Sequence, residues 1–101
     1  MQKELRLNLR QHIKSISYSF YIVWWKDAES YATWRDLKDV LKERPPLCIS
    51  SGWLISEDAE RLVLVSDFNF NKKFPPEICD AGNTTIIPKG MVIKKQKVFI
   101  K

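Results

Sequence analysis

The chain has 101 residues, is 45% hydrophobic and carries 17 Lys/Arg against 12 Asp/Glu, for a formal net charge of +5. That length suits one domain and is too short for two ordinary ones, and four Trp, five Phe and three Tyr exclude a disordered chain. No apolar run approaches the roughly 20 residues of a spanning helix, and no apolar stretch of a secretory signal follows Lys3, Arg6, Arg10 and Lys14. The expectation is a soluble, cytoplasmic protein with no membrane partner.

The cations gather at the two ends. Residues 1–15 form a basic arm, residues 94–101 contain Lys94, Lys95, Lys97 and Lys101, and the stretch between is slightly acidic. If the ends meet, they make a cationic patch for phosphate or an acidic partner; apart, they only keep the chain soluble.

In chain order, residues 1–15 are ambiguous. Leu5, Leu7 and Leu9 alternate as in a strand, whereas Leu5, Leu9 and Ile13 recur at helical spacing; a short helix, an edge strand and a mobile arm all fit. From Ile16 to Lys26 the alternation is strict and rich in aromatic and β-branched residues, which predicts a long strand. Tyr18, Phe20, Ile22 and Trp24 fall on one face, and Tyr21, Val23 and Trp25 on the other. Thr33-Trp34-Arg35-Asp36 has the spacing of a helix start, predicting a short helix over about 33–43 that Pro45-Pro46 stops. Leu47 to Ser56 reads as a second strand in which Gly52 marks a bulge or bend. After an acidic turn, Arg61 to Ser66 reads as a third strand in hairpin with it.

Phe68 to Asn83 reads as a loop of about fifteen residues, long enough to be functional or mobile. Thr84 to Ile87 and Met91 to Lys95 are the fourth and fifth strands, joined by a tight turn at Pro88-Lys89-Gly90. The predicted fold is mainly β: a small five-stranded antiparallel barrel of SH3-like or Sm-like type over residues 16–101, with the helix capping an open end. An OB-like barrel is the competing arrangement.

No phosphate-loop, zinc-protease or serine-hydrolase motif is present. Asp27 and Glu29, or Glu57 and Asp58, sit where acidic residues serve turns. Cys48, Cys79 and His12 cannot make a four-ligand zinc site; Cys48 reads as a core residue and Cys79 as a loop residue. No catalytic residue, metal or cofactor is therefore expected. Trp24 and Trp25 point to opposite faces, so at most one serves the interior; the other needs a cover from the helix, the arm or a partner. Aromatics beside cations are raw material for stacking on nucleotide bases. This makes Trp25, Trp53, Lys72, Lys73, Lys94, Lys95 and Lys97 the candidate ligand-binding residues, with core packing or an oligomer interface as the competing roles of the tryptophans. Phe68, Phe70 and Phe74 form either a partner-contact loop or a lid over the barrel.

The series Val23-Trp24-Trp25-Lys26-Asp27-Ala28, Trp34, Leu37, Ser51-Gly52-Trp53-Leu54, Glu57-Asp58, Leu62-Val63-Leu64 and Ile87-Pro88-Lys89-Gly90 resembles a group of small tailed-phage and prophage proteins of unassigned function. The likeness covers about residues 20–95; the basic arm and the Phe/Asn/Lys/Pro-rich segment depart from it. It implies a phage-encoded accessory protein with a small barrel fold, and supplies no activity. Three roles follow as expectations. One is a non-enzymatic protein that occludes or sequesters a host defence component. Another is a binder of nucleic acid or a nucleotide ligand through the basic ends and aromatics. The last is an assembly protein whose unpaired edges close a homo-oligomeric ring.

Overall fold

Antiparallel pairing organises most of the chain. The computed structural model describes residues 2–99, and side chains from residue 9 onward. A helix α1 (Gln2–Ser15) precedes strand β1 (Ser19–Lys26), a one-turn helix α2 (Leu37–Val40), β2 (Leu47–Glu57), β3 (Arg61–Phe70), β4 (Ile78–Pro88), a 3-10 turn (Lys89–Met91) and β5 (Val92–Val98). The strands form one five-stranded sheet in the order β4-β3-β2-β1-β5, every neighbouring pair antiparallel. Among the described residues β4 and β5 do not pair with each other, so the sheet has two edges rather than a closed seam.

The alternation of β1 decides which face carries the core. Its odd-numbered side chains turn inward: Val23 is fully buried and clusters with Leu62, Leu64 and Ile87, with Tyr21, Trp25, Leu54 and Val92 packed around them. Burial of each such aliphatic side chain is worth about 1.5–3 kcal/mol. β3 is covered on both faces over this stretch, since the four consecutive residues Leu62 to Val65 are all buried, whereas an antiparallel sheet commonly leaves one face to solvent.

Gly52 lets β2 lie against β3. A Cβ there would fall 2.7 Å from the Val65 carbonyl oxygen and 3.3 Å from Leu64 Cβ. The register irregularity lies beyond it, between Leu54 and Ser56; close backbone approach, rather than a bulge, is what requires glycine at this position. The hairpin turn after β2 is built by Asp58, whose Oδ1 accepts the backbone N–H groups of Glu60 and Arg61 at 2.9 Å each. Those two donors hold the Asp58 carboxyl below its ordinary pKa.

Several expectations need correction. The helix over about 33–43 shrinks to the single turn Leu37–Val40, because Asp36 rather than Thr33 is its N-cap, accepting the Lys38 amide at 3.1 Å. So short a helix has little cooperative stability of its own. It caps no open end: it has no buried residue, and Trp34, Leu37 and Leu41 are exposed around it. The loop expected at Phe68–Asn83 is mostly strand, with β3 running to Phe70 and β4 starting at Ile78. Asparagine side chains close what remains: Asn71 Oδ1 accepts the amides of Lys73 and Glu77, and Asn69 Oδ1 accepts that of Asp80. Asn83 takes the left-handed conformation at φ 55° within β4, a place asparagine tolerates, and its side chain bonds Asp67. The N-terminal ambiguity resolves to a helix. Its end is tied to the β3–β4 connection, where Ser15 Oγ donates to the Pro76 carbonyl at 2.6 Å and the His12 ring meets Phe70 edge-on at 4.6 Å.

Gly52→Ala is expected to cost about 1–3 kcal/mol through overpacking against β3. Gly90→Ala, where an added Cβ meets nothing within 4 Å, should be close to neutral. Paired denaturant titrations check both, and equal midpoints for the two variants would show that the close approach carries no energetic weight.

Candidate functional site

The face of the sheet opposite the aliphatic core collects aromatic rings at one end. Phe20 of β1 and Trp53 of β2 are direct cross-strand partners and meet edge-to-face, with centroids 5.2 Å apart. Phe68 of β3 lies 5.2 Å from Trp53, and Tyr18, just before β1, stacks on Phe68 at 6.1 Å. Ring pairs in these geometries gain about 0.5–1.5 kcal/mol each beyond area burial, so the cluster is a stiff surface.

This aromatic surface floors a cleft of about 440 Å³. Ile13 near the end of α1, Ile16, and Lys97, Val98 and Phe99 at the end of β5 complete its lining. Residues from both ends of the described chain border this cleft, and Lys97 is the one cation in its lining, so the basic residues of the two ends do not gather there into a cationic patch. Lys97 is exposed, with its Nζ 5.3 Å from the centre of the Phe99 ring. In register Lys97 lies opposite Tyr21, on the core-side face, and Val98 opposite Phe20, on the aromatic face, so the lysine borders the cleft at its edge. Aromatic rings beside a cation can stack a planar ring and pair one negative charge. Among the described residues, no group of three or more His, Cys, Asp or Glu could hold a metal ion.

The structure divides the candidate residues expected from sequence. Trp53 and Lys97 come together in the cleft. Trp25 packs against the aliphatic core and donates its indole N–H to Ser50 Oγ at 3.0 Å, so its ring is committed to packing. Trp24 lies on the other face, beneath Lys94 at 5.2 Å. Lys72 and Lys73 sit in the β3–β4 connection, away from the lining of the cleft. The three phenylalanines separate likewise: Phe68 joins the aromatic cluster, Phe70 meets His12, and Phe74 is 73% exposed. Ile13, Ile16, Tyr18, Phe20 and Phe99 were not singled out from sequence. Phe99, the one aromatic among the C-terminal lysines, carried a usable signal.

Lys95 has a different role. Its Nζ lies 2.5 and 2.7 Å from the two carboxylate oxygens of Glu57, which also pairs with Lys89. Glu57 thereby ties the end of β2 to the 3-10 turn and to β5. Cys48 is half-buried and Cys79 exposed, both with free thiols, and no helix among the described residues is long and apolar enough to cross a membrane. Comparison with protein-family models, curated proteins and solved structures returns no match for this chain.

Hydrogen bonds from Lys89 and then Lys95 hold the Glu57 carboxyl below its ordinary value of 4.5. A depressed carboxylate contributes stability that is fully present above the ordinary value and is lost as pH falls through the lower, folded one. Because the pairs are partly exposed, the contribution is about 0.3–1 kcal/mol. Glu57→Gln should lower stability by that amount at pH 7 and leave it unchanged at pH 2–3. Denaturation midpoints at the two pH values check this; an equal loss at both would assign the effect to packing instead.

Proposed function

We propose that this chain is a non-enzymatic, phage-encoded binding protein that sequesters a component of a host defence system in the host cytoplasm. The component is a nucleotide ligand. The observation that carries this reading is the cleft lined by Trp53, Phe20 and Tyr18 together with Phe99 and Lys97. Aromatic side chains accept the face of a base, and a lysine at the rim accepts a phosphate. Sequestration needs affinity and no catalytic group, which agrees with a lining of hydrocarbon, rings, one serine and one cation. The phage origin rests on the resemblance over residues 20–95. The sheet reads as a small SH3-like or Sm-like barrel left open at one seam, a reading supported by its strand order and by the 3-10 turn that joins the two edge strands.

Calorimetric titration with mononucleotides and with linear and cyclic dinucleotides tests the proposal. Saturable binding is expected, with only a shallow dependence on salt because one lysine contacts phosphate. Trp53→Leu should abolish binding, Trp53→Phe should retain most of it, and Lys97→Gln should weaken it about ten- to a hundredfold, the loss of one charge-assisted contact. Absence of heat with every nucleotide at millimolar concentration, or wild-type affinity in Trp53→Leu, would sink the proposal. Steep salt-dependent binding to single-stranded DNA alone would replace it with a nucleic-acid reading.

A further inference from the structure

The two edges of the sheet are unlike each other, and each has what the other lacks. The β4 edge, Ile78–Pro88, is eleven residues long and contains no Lys or Arg. Its exposed residues include Asp80, Thr84 and Ile86, the last 62% exposed. The β5 edge, Val92–Val98, carries Lys94, Lys95 and Lys97, and its Ile93 is 54% exposed. Among the described residues neither Lys94 nor Lys97 is in an ion pair; each lies over an aromatic ring.

Lysines on an edge strand guard it against pairing with itself, because like charges opposite one another across a ladder repel. That guard protects β5 from β5 only. It leaves β4 uncovered, and it makes β5 electrostatically suited to a strand that carries carboxylate and no cation. Within one molecule the two edges do not form a ladder.

We propose that β4 of one molecule pairs with β5 of a second copy of this chain, antiparallel and head to tail. Each added copy leaves one β4 and one β5 edge free, so the contact builds a ring where the rotation closes and an open chain where it does not. In an antiparallel ladder the C-terminal end of β5 lies beside the N-terminal part of the neighbouring β4. Lys97 and Val98, which line the cleft, then stand at the subunit boundary. The contact does not depend on the identity of the ligand.

Light scattering coupled to size exclusion measures the mass of the full chain against that of the 11.9 kDa monomer. A multiple of that mass is expected for the unmodified protein; a monomer at about 100 µM would overturn the proposal, since unpaired edges of this length would then be stable in water. Ile86→Lys, which guards β4, and Lys94→Glu, which replaces a β5 cation with a carboxylate facing an edge that has no cation to pair it, should each give monomer alone. Equimolar mixing of the two should recover association, because each retains the edge the other lacks. A symmetric contact predicts otherwise: one of the two variants would still assemble by itself, or mixing would recover nothing, and either result would reject head-to-tail pairing. Far-ultraviolet circular dichroism establishes that each variant is folded. Should either fail to fold, zero-length carbodiimide cross-linking of mixed isotope-labelled and unlabelled wild-type chains decides. Intermolecular links from Asp80 or Glu77 to the β5 lysines support the contact, and their absence in a cross-linked oligomer overturns it.

Discussion

The approach of β2 to the backbone of β3 at Gly52 is the constraint on which the rest of the structure depends. With 2.7 Å between an added Cβ and the Val65 carbonyl, only a residue without a side chain lets the two strands stay in register there. That register puts Leu54 beside Leu64 and Trp53 beside Val65. One pair feeds the aliphatic core and the other feeds the aromatic face. The close approach that this glycine permits brings β2 side chains against both faces of β3, whose residues Leu62 to Val65 are all buried.

From that division follows the site. Aliphatic side chains take the inner face of the sheet, so the larger rings of Phe20, Trp53 and Phe68 assemble on the other, where α1 and the end of β5 close around them. The ends of the chain supply both the apolar walls and the cation.

The lysines of β5 illustrate how one charge pattern serves several physical ends. Lys95 is neutralised against Glu57, the carboxylate that also pairs with Lys89 and so ties three segments together. Lys94 covers Trp24, a ring that the opposite face of β1 would otherwise leave bare, and Lys97 stands at the rim of the cleft.

What the sequence determined by itself was local. Strict alternation in β1, the apolar run of β3, the acidic turn at Asp58 and the Pro88-Lys89-Gly90 turn each announce their structure through side-chain period or turn chemistry, and five strands were legible on that basis. The length of the β3–β4 hairpin was not, because Asn69, Asn71 and Asn83 read as loop residues until their side chains are seen replacing backbone partners. Nor was the brevity of α2, since Thr33 and Asp36 are equally good caps in sequence and only the fold chooses between them. Trp53 and Lys97 could be named as candidates from composition and spacing, but their place in the lining of one cleft could not. It requires a cross-strand register and the return of the C-terminus beside β1, contacts between residues far apart in the chain. The same limit applies to Trp25: strand period says that it and Trp24 face opposite ways, and only packing against Val23, Leu62 and Ile87 decides which of them is inside.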